Sequence, residues 1–326
     1  MNKLIFNEIL KIIRKRKLIV VVAIMAVLIS LFTYAQFREV QRQIEKLGDV
    51  DWRSTLQQQI VDTQNRLTSS GISDEWKAQL QIRVQQQQYY LDNNINPAEP
   101  GAPTFVRSFA QESITLFVPL LIMIIAADIV SSERSAGTVK LLLTRPVKRW
   151  KILLSKYVAL LLSISIIVVL MGLLAYLISG VVFGFGGWKA PILTGFTSMG
   201  GELNTSNVQL IDQWQYILME FGLVWFVAIV VGTLSFMLSV LLKSTSASMG
   251  VMLAALIAGL ILSNLVSSWQ SAKYLFMINL DLTGYLAGSA PPVPGMTLLF
   301  SIGVLAVWAI VGLLVSFTVF VRQDVY

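Results

Sequence analysis

The sequence predicts an all-α integral membrane protein with six transmembrane helices, an N-terminal interfacial amphipathic helix and an external helical hairpin between spans one and two. The composition supports this fold class, because 55% of the 326 residues are hydrophobic and only 13% are charged. A soluble domain carries about 25% charged residues. The hydrophobic residues also cluster in blocks long enough to cross a bilayer core, which takes about 20 helical residues.

Six hydrophobic blocks are predicted to span the membrane as helices, and the remaining segments lie outside them. The spans are 18–37, 113–130, 157–183, 216–242, 247–268 and 296–321. The other segments are the helix 1–17, the external hairpin domain 38–112, the loop 131–156, the external loop 184–215, the turn 243–246, the external loop 269–295 and the tail 322–326. The first block is too long for the apolar part of a signal peptide, so it is predicted to be an uncleaved span.

The basic residues predict the orientation of these spans. Residues 1–17 hold six Lys or Arg and residues 131–156 hold seven, and Lys243 and Arg322 lie in the other two segments on that side. Only three acidic residues share these segments, whereas the opposite side, including Glu220 at the membrane boundary, holds 10 basic and 14 acidic residues. Because Lys and Arg concentrate in loops that stay in the cytosol, both termini are predicted to be cytosolic.

Residues 1–17 have the periodicity of an amphipathic helix. Lys3, Asn7, Lys11 and Arg14 fall on one face, and four isoleucines fall towards another. A helix with a basic face and an aliphatic face is typical of one that lies at a membrane surface. The alternative is that its charges only set the topology.

The external segment 38–112 contains two hydrophobic stripes at helical spacing. Trp52, Leu56 and Ile60 form the first stripe, and the second begins at Trp76. Two helices joined by a short loop form an αα-hairpin, which these stripes favour. The glutamine runs in the same segment favour the alternative of a disordered low-complexity stretch.

The loop 131–156 contains features that topology alone does not require. Its pattern predicts a short basic helix over 133–143, with Gly137 as its weak point, and the helix ends before Pro146 because proline disfavours helical geometry in the residue before it. Charges that set the topology, together with contacts to lipid phosphates, would explain its lysines and arginines. They would not explain its Gly-Thr pair and its proline.

At this loop the sequence resembles the permeases of type-2 ABC exporters, which have the type V exporter fold. Their pattern is a glutamate, three residues, Gly-Thr, a leucine run, a proline and then a basic residue. The matching residues here are Glu133, Gly137, Thr138, Leu142, Pro146, Lys148 and Arg149. The N-terminal helix is similar to the family's interfacial first helix, through Glu8, Lys11, Arg14 and Arg16.

The resemblance implies that residues 131–156 form a coupling loop that docks on a separate cytosolic ATPase. Two permeases, identical or related, and two ATPase subunits are expected, with ATP and Mg bound in the ATPase. The plasma membrane of a prokaryote is the implied location. The long external segment is similar to the branch that exports sodium, peptides and antibiotics, and unlike the polysaccharide exporters. An accessory subunit at the hairpin is a further candidate partner.

The chain itself is predicted to hold no catalytic site, no metal site and no cofactor. It contains no histidine and no cysteine, which excludes histidine-assisted nucleophilic catalysis and Cys/His zinc sites. The sequence also lacks a Walker A pattern for binding ATP. The chain is therefore predicted not to be an enzyme by itself, and ATP hydrolysis is expected in a partner subunit.

Four residues in the predicted spans are candidate pathway or coupling residues: Asp128, Pro119, Glu220 and Asn264. An ionisable group in a span is a functional hypothesis by default. Asp128 is predicted either to pair with Arg134 or Lys156 or to lie at the interface in contact with water. Glu220 is predicted to be a boundary residue of span four, and Pro119 is predicted to kink span two because it lacks a backbone N–H.

The predicted function is the permease of an ATP-driven exporter that works by alternating access, with no nucleic acid as a partner. The few charges inside the spans favour an apolar or amphipathic cargo, such as a peptide, an antibiotic or a lipid-like compound. One alternative is a membrane sensor or scaffold whose external hairpin binds a ligand without transport. A secondary carrier is a third hypothesis, but it predicts internal repeats of spans that the sequence does not show.

Overall fold

Helices dominate the computed structural model of the protein. It describes residues 1–47, 51–68, 74–97, 99–135, 137, 147–199, 202–242, 244–263, 265 and 269–322. Within these residues the helices are α1 Asn2–Arg14, α2 Lys17–Leu47, α3 Trp52–Leu67, α4 Asp74–Asp92, α5 Ala102–Ser113, α6 Phe117–Ala126, α7 Ser131–Ser135, α8 Arg149–Phe183, α9 Gln213–Leu241, α10 Thr245–Ser263, α11 Thr283–Leu286 and α12 Leu298–Arg322. Two short 3₁₀ helices, Gln270–Tyr274 and Phe276–Asn279, lie between α10 and α11.

Five of these helices are long and apolar enough to cross a membrane: α2, α8, α9, α10 and α12. A sixth crossing is formed if α5 and the segment Phe117–Ser135, which are bent by 66° relative to each other, count as one broken span. The chain is therefore a multi-pass α-helical membrane protein.

Helix α9 is the central helix of the bundle. It packs against α5, α6, α8 and α12, and 67% of its most apolar stretch is buried, against 17% for α12. Gly232 lies where a Cβ atom would collide with the side chains of Ile164 and Ile122, so the absence of a side chain brings α9 close to α8 and α6. By contrast, α2, α10 and α12 keep most of their apolar surface on the outside of the bundle, as lipid contact requires.

The predicted second span is the bent pair of helices. Helix α5 ends at Ser113, and α6 begins at Phe117 after a turn at residues 114–116. Pro119 lies in the first turn of α6, where its missing N–H leaves no hydrogen bond unmade within the helix. The bend thus lies just before Pro119, and Pro119 could not have continued α5 without losing a hydrogen bond.

The segment 184–215 corrects the all-α prediction, because it contains four short strands. β1 Pro191–Thr194 pairs antiparallel with β4 Gln209–Asp212, and β2 Thr197–Met199 pairs antiparallel with β3 Glu202–Asn204. Strands of three or four residues carry too few positions for a hydrophobic period to be recognised in the sequence. Gly195 joins β1 to β2 at a φ of +90°, a conformation that favours glycine.

Helices α3 and α4 pack against each other, and Leu56, Ile60 and Leu80 are buried between them and their surroundings. Residues 69–73, which join these helices, lie outside the described part of the chain. Helix α4 also contacts the rest of the molecule, because the Gln86 side chain donates hydrogen bonds to the carbonyls of Ala287 and Gly288.

The bundle has two ends, which we name by their contents. The α1 end holds α1, α7 and the first residues of α8. The hairpin end holds α3, α4 and the four strands. Helix α8 runs from the α1 end to the hairpin end, and α9 runs back.

Candidate functional site

Helix α1 lies against the bundle and packs on α8 and α2. Its glutamate Glu8 is buried, whereas Phe6 and Ile13 are exposed. The chain then turns at Lys15 and Arg16, with Arg16 in a left-handed conformation at a φ of +54°. This tight turn places a charged face of α1 inwards, against the starts of α7 and α8.

Four charged side chains form a closed ion ring at the α1 end. Lys11 Nζ lies 2.8 Å from Glu8 Oε1 and 2.8 Å from Glu133 Oε1. Lys156 Nζ lies 2.9 Å from Glu8 Oε2 and 2.8 Å from Glu133 Oε2. Each lysine therefore bridges both carboxylates, and the ring joins α1, α7 and α8.

Burial makes the ion ring most sensitive to the loss of Lys156, whereas the Lys11 side chain is 36% exposed and its loss is screened by solvent. The Lys156 side chain is only 1% exposed, and an isolated buried ammonium group would be strongly unfavourable. Two carboxylates and two ammonium groups compensate each other, so the ring carries no net charge. Removal of one partner of a buried pair costs about 3 to 5 kcal/mol, because the other charge is left unpaired.

The pKa of Lys11 reflects the same balance. Burial alone would lower this pKa, but the hydrogen bonds and charges of Glu133 and Glu8 outweigh the burial. The pKa of Lys11 is therefore raised above its ordinary value. The charged form of Lys11 is the one that the ion ring stabilises.

A second charged cluster lies beside the ring. Asp128 Oδ2 is 2.9 Å from Lys15 Nζ, and Asp128 Oδ1 is 2.9 Å from Lys17 Nζ. Lys15 also donates to the hydroxyl of Ser132 at 2.7 Å. The prediction that Asp128 pairs with Arg134 or Lys156 was wrong: Arg134 donates to the carbonyl of Val240, and Lys156 belongs to the ion ring.

The segment that carries Asp128 and Glu133 is also hydrogen-bonded to α9. The turn between α6 and α7 leaves backbone N–H groups without helical partners. The hydroxyl oxygen of Ser239 accepts hydrogen bonds from the N–H groups of Val130 and Ser131, at 3.1 and 2.9 Å. The Ser131 hydroxyl lies 2.8 Å from that of Thr245 in α10. This segment therefore contacts α1, α8, α9 and α10.

The predicted coupling loop begins where this segment ends. Helix α7 stops at Ser135, and Gly137 has a left-handed φ of +69°. A continuous helix over 133–143 was therefore wrong at Gly137, because a left-handed residue ends an α-helix. Lys148 occupies the N-cap position of α8 without a side-chain capping hydrogen bond, and Arg149 donates to the carbonyl of Val321. Three further loop residues lie outside the described part of the chain: Thr138, Leu142 and Pro146.

The structure brings together only some of the predicted site residues. Glu8, Lys11 and Glu133 meet in the ion ring, and Asp128 lies in the adjacent cluster. Arg14, the last residue of α1, and Arg16, in the turn after it, are exposed. Asn264 lies outside the described residues.

Glu220 corrects a further expectation. It lies in α9 on the hairpin side and is fully buried, so it is not a boundary residue in contact with solvent. The helix start at Gln213 places it almost two turns inside α9, and α5 covers that face.

The sequence reasoning missed Lys15, Lys17 and Ser239 and gave Lys156 the wrong partner. The lysines had been assigned only to the setting of topology, and nothing in a local pattern distinguishes a paired lysine from a free one. Ser239 lies in an apolar helix far from its partners in the chain. One usable signal was Lys156, which immediately precedes predicted span three, since a lysine at the edge of a span favours a carboxylate partner.

The arrangement links three helices through paired charges. Within the described ranges no three His, Cys, Asp or Glu side chains lie close enough to hold a metal ion. The charges of the ion ring are satisfied by one another, so none is poised to attack or to transfer a proton. What the ring can do is make α1, α7 and α8 move together.

A cleft between α3 and α4 is a second candidate site, at the hairpin end. It has a volume of about 620 Å³ and mixes charged, amide and aliphatic side chains. Its lining includes Arg53, Gln57, Ile60, Gln88 and Asp92. Arg53 donates hydrogen bonds to Asp51 and Asn94.

Comparison with known proteins identifies one relative over the whole chain and further matches over part of it. A family model described as a protein of unknown function, DUF2705, matches residues 78–326. The chain is 28% identical over 327 residues to the uncharacterized protein YhcI of Bacillus subtilis strain 168. The alignment covers 100% of this chain and 99% of the relative. The chain is 32% identical over 216 residues to the uncharacterized membrane protein YdbK of the same organism, covering 65% of this chain and 80% of the relative. The range matched by the family model contains Asp128, Glu133 and Lys156 but not α1.

Proposed function

We propose a transport function for this chain, which belongs to the family described as a protein of unknown function, DUF2705. It is the transmembrane permease subunit of an ATP-binding-cassette exporter and moves an apolar or amphipathic substrate out of the cell. A separate ATPase subunit binds ATP and Mg and drives alternating access. Two permeases, identical or related, assemble with two ATPase subunits.

The observation that carries this proposal is the ion ring of Glu8, Lys11, Glu133 and Lys156. It lies where the segment matching an exporter coupling loop begins, and it ties that segment to α1 and to the long helix α8. A movement of the loop is therefore passed to a helix that runs the full length of the bundle. A loop that served only to set topology would not need buried, fully paired charges at its base.

The proposed orientation places the α1 end in the cytosol of a prokaryotic cell and the hairpin end outside the plasma membrane. The distribution of Lys and Arg supports this orientation. Arg14 and Arg16 are exposed at the α1 end, where they would meet anionic lipid headgroups. The loop after Gly137 then faces the compartment that contains ATP.

The proposed mechanism follows from the contacts at the loop base. ATP brings the two ATPase subunits together, and the coupling loop moves with them. The ion ring and the Asp128 cluster transmit that displacement to α8, to α1 and to the start of α2. The hydrogen bonds of Ser239 pass it on to the central helix α9.

Because the sequence contains no cysteine, a single introduced thiol can test the proposal in intact membranes. Lys148→Cys places an exposed thiol at the end of the loop, and Asp62→Cys places one on the exposed side of α3. A photoactivatable crosslinker on each thiol then captures what lies next to it. The proposal expects a P-loop ATPase to be captured from Lys148→Cys and not from Asp62→Cys.

The same two variants test the orientation. A membrane-impermeant maleimide added to intact cells should label Asp62→Cys and not Lys148→Cys. Capture of a kinase or another regulator by Lys148→Cys, in place of an ATPase, would support a sensor whose ligand binds in the cleft between α3 and α4. Labelling of Lys148→Cys from outside would overturn the proposed orientation.

A further inference from the structure

Glu220 is a buried carboxylate whose oxygens have no hydrogen-bond partner. It is 0% exposed, and within the described residues neither Oε1 nor Oε2 meets a donor. Its neighbours one turn away on the same face of α9 are Tyr216 and Val224, both buried. A carboxylate inside a membrane span without a partner is costly, so such residues mark pathways or binding sites.

Arg107, the cation whose charge acts on Glu220, is hydrogen-bonded elsewhere. Arg107 in α5 donates from Nη2 to the carbonyl of Pro97 at 2.8 Å, and its guanidinium carbon lies 5.8 Å from the centre of the Tyr216 ring. Its charge acts on Glu220 only through space and without a hydrogen bond. Arg107 therefore attracts the carboxylate but leaves both oxygens free to accept.

A break in the neighbouring helix lies at nearly the same level as Glu220. Thr104 pairs with Gln213 at 3.0 Å, and three residues further along both helices Arg107 lies over Tyr216. Helices α5 and α9 thus run side by side in the same direction over this stretch. Glu220 then falls about one turn past Arg107, and α5 ends at Ser113 within roughly another turn.

That helix end adds to the local negative potential. The last carbonyls of a helix are without helical partners and carry a partial negative charge, which favours cations. Broken helices at membrane depth are a recurring construction of substrate and ion sites in transporters. A buried carboxylate and a helix C-terminus at the same level both favour a positively charged ligand.

We propose that Glu220 is the recognition point for a positively charged group on an otherwise apolar substrate, such as a primary ammonium. The inference rests on the proposed function for its physiological meaning, since it assigns the transported substrate to the class of cationic amphiphiles. An ammonium group donates hydrogen bonds to both carboxylate oxygens, and the apolar remainder of the substrate lies among the aliphatic side chains around Ile217 and Val224. Entry requires a separation of α5 from α9, which the bend at residues 114–116 allows.

The test uses two compounds with the same apolar cage, adamantan-1-amine and adamantan-1-ol, because only the amine is charged at neutral pH. Equilibrium dialysis measures the binding of each to the purified full-length protein in lipid nanodiscs, after subtraction of uptake by empty nanodiscs. The wild-type protein should bind the amine at least tenfold more tightly than the alcohol. Glu220→Gln should remove this preference.

Two further variants make the result specific. Glu112→Gln removes an exposed carboxylate from α5 and should leave the preference unchanged. Arg107→Gln removes a nearby positive charge and should strengthen binding of the amine several-fold, which a purely structural role of Glu220 does not predict. Thermal unfolding of each variant checks that it is folded, and Glu220→Gln should be no less stable than the wild type.

Two results would overturn the inference. One is the absence of a preference for the amine in the wild-type protein, whether the two compounds bind equally or neither binds. That result would mean that Glu220 carries a proton and does not recognise a cationic group. The other is a preference for the amine that persists in Glu220→Gln. The assay contains no ATPase, so its failure is distinct from failure of the transport proposal, which depends on the partner captured at the loop.

Discussion

Lys156 Nζ lies 2.8 Å from Glu133 Oε2, and this contact joins the start of α8 to α7 with the lysine side chain almost completely buried. The same ammonium group reaches Glu8 at 2.9 Å. Glu8 precedes Lys156 by 148 residues and Glu133 precedes it by 23, so neither is a neighbour of Lys156 along one helix. The folded arrangement therefore depends on a charge whose partners come from two other helices.

Removal of this charge should destabilise the protein strongly. Lys156→Met leaves two buried carboxylates sharing Lys11 alone, so we expect a loss of about 3 to 5 kcal/mol in the free energy of unfolding. Thermal and denaturant unfolding of the purified protein measure this loss. Lys151→Met, at an exposed position of the same helix, is the control and should change stability by no more than about 0.5 kcal/mol.

Substitution of a carboxylate partner should offset part of the loss caused by Lys156→Met. Glu133→Gln in the Lys156→Met background leaves Glu8 and Lys11 as a balanced pair, so the double variant should be more stable than the sum of the two single losses predicts. A double-mutant cycle gives this coupling, which we expect to be about 1 to 3 kcal/mol. Strictly additive losses would show that the two charges do not interact.

The raised pKa of Lys11 predicts how stability changes at alkaline pH. A lysine whose pKa is higher in the folded than in the unfolded state stabilises the fold fully below its unfolded pKa, near 10.5. That contribution is lost as the pH rises through the folded pKa. The difference in melting temperature between the wild type and Lys11→Met should therefore be constant up to about pH 9.5 and then shrink.

Lys3→Met provides the comparison for this titration, because Lys3 is an exposed lysine of the same helix. Its difference from the wild type should be small throughout the pH range. A difference between Lys11→Met and the wild type that does not depend on pH would contradict the role assigned to the Lys11 charge.

Ser239 predicts an effect of hydrogen bonding without charge. Ser239→Ala leaves the N–H groups of Val130 and Ser131 without their acceptor, and each unsatisfied buried group costs about 1 to 3 kcal/mol. Ser316→Ala is the matched control, because Ser316 is equally buried but bonds only to the carbonyl of Gly312 in its own helix. Unfolding measurements should show a clearly larger loss for Ser239→Ala.

Local patterns in the sequence were enough to predict the helices with long apolar stretches and the amphipathic α1. Composition and hydrophobic period determine these elements directly, and neither depends on a distant contact. The bend of the second span was also foreseeable in kind, because Pro119 cannot lie in the interior of an unbroken helix without losing a hydrogen bond. The four strands were missed since each is too short to show a period.

The candidate site could be predicted only in part. Glu8, Lys11 and Glu133 were identified through a resemblance to exporters, but their mutual contacts were not. Pairing across more than a hundred residues is decided by how α1 packs on α8, which no local pattern records. Glu220 was misjudged for the same reason, because its burial depends on α5 covering the start of α9.

The most direct test of the central claim is the ATPase activity of whatever co-purifies with the tagged full-length chain after solubilisation in detergent. The account predicts a stoichiometric P-loop subunit that hydrolyses ATP and is lost when Gly137→Trp distorts the loop, while Gly303→Trp, at an open helical position, retains it. A pure, folded preparation with no ATPase partner would contradict the account.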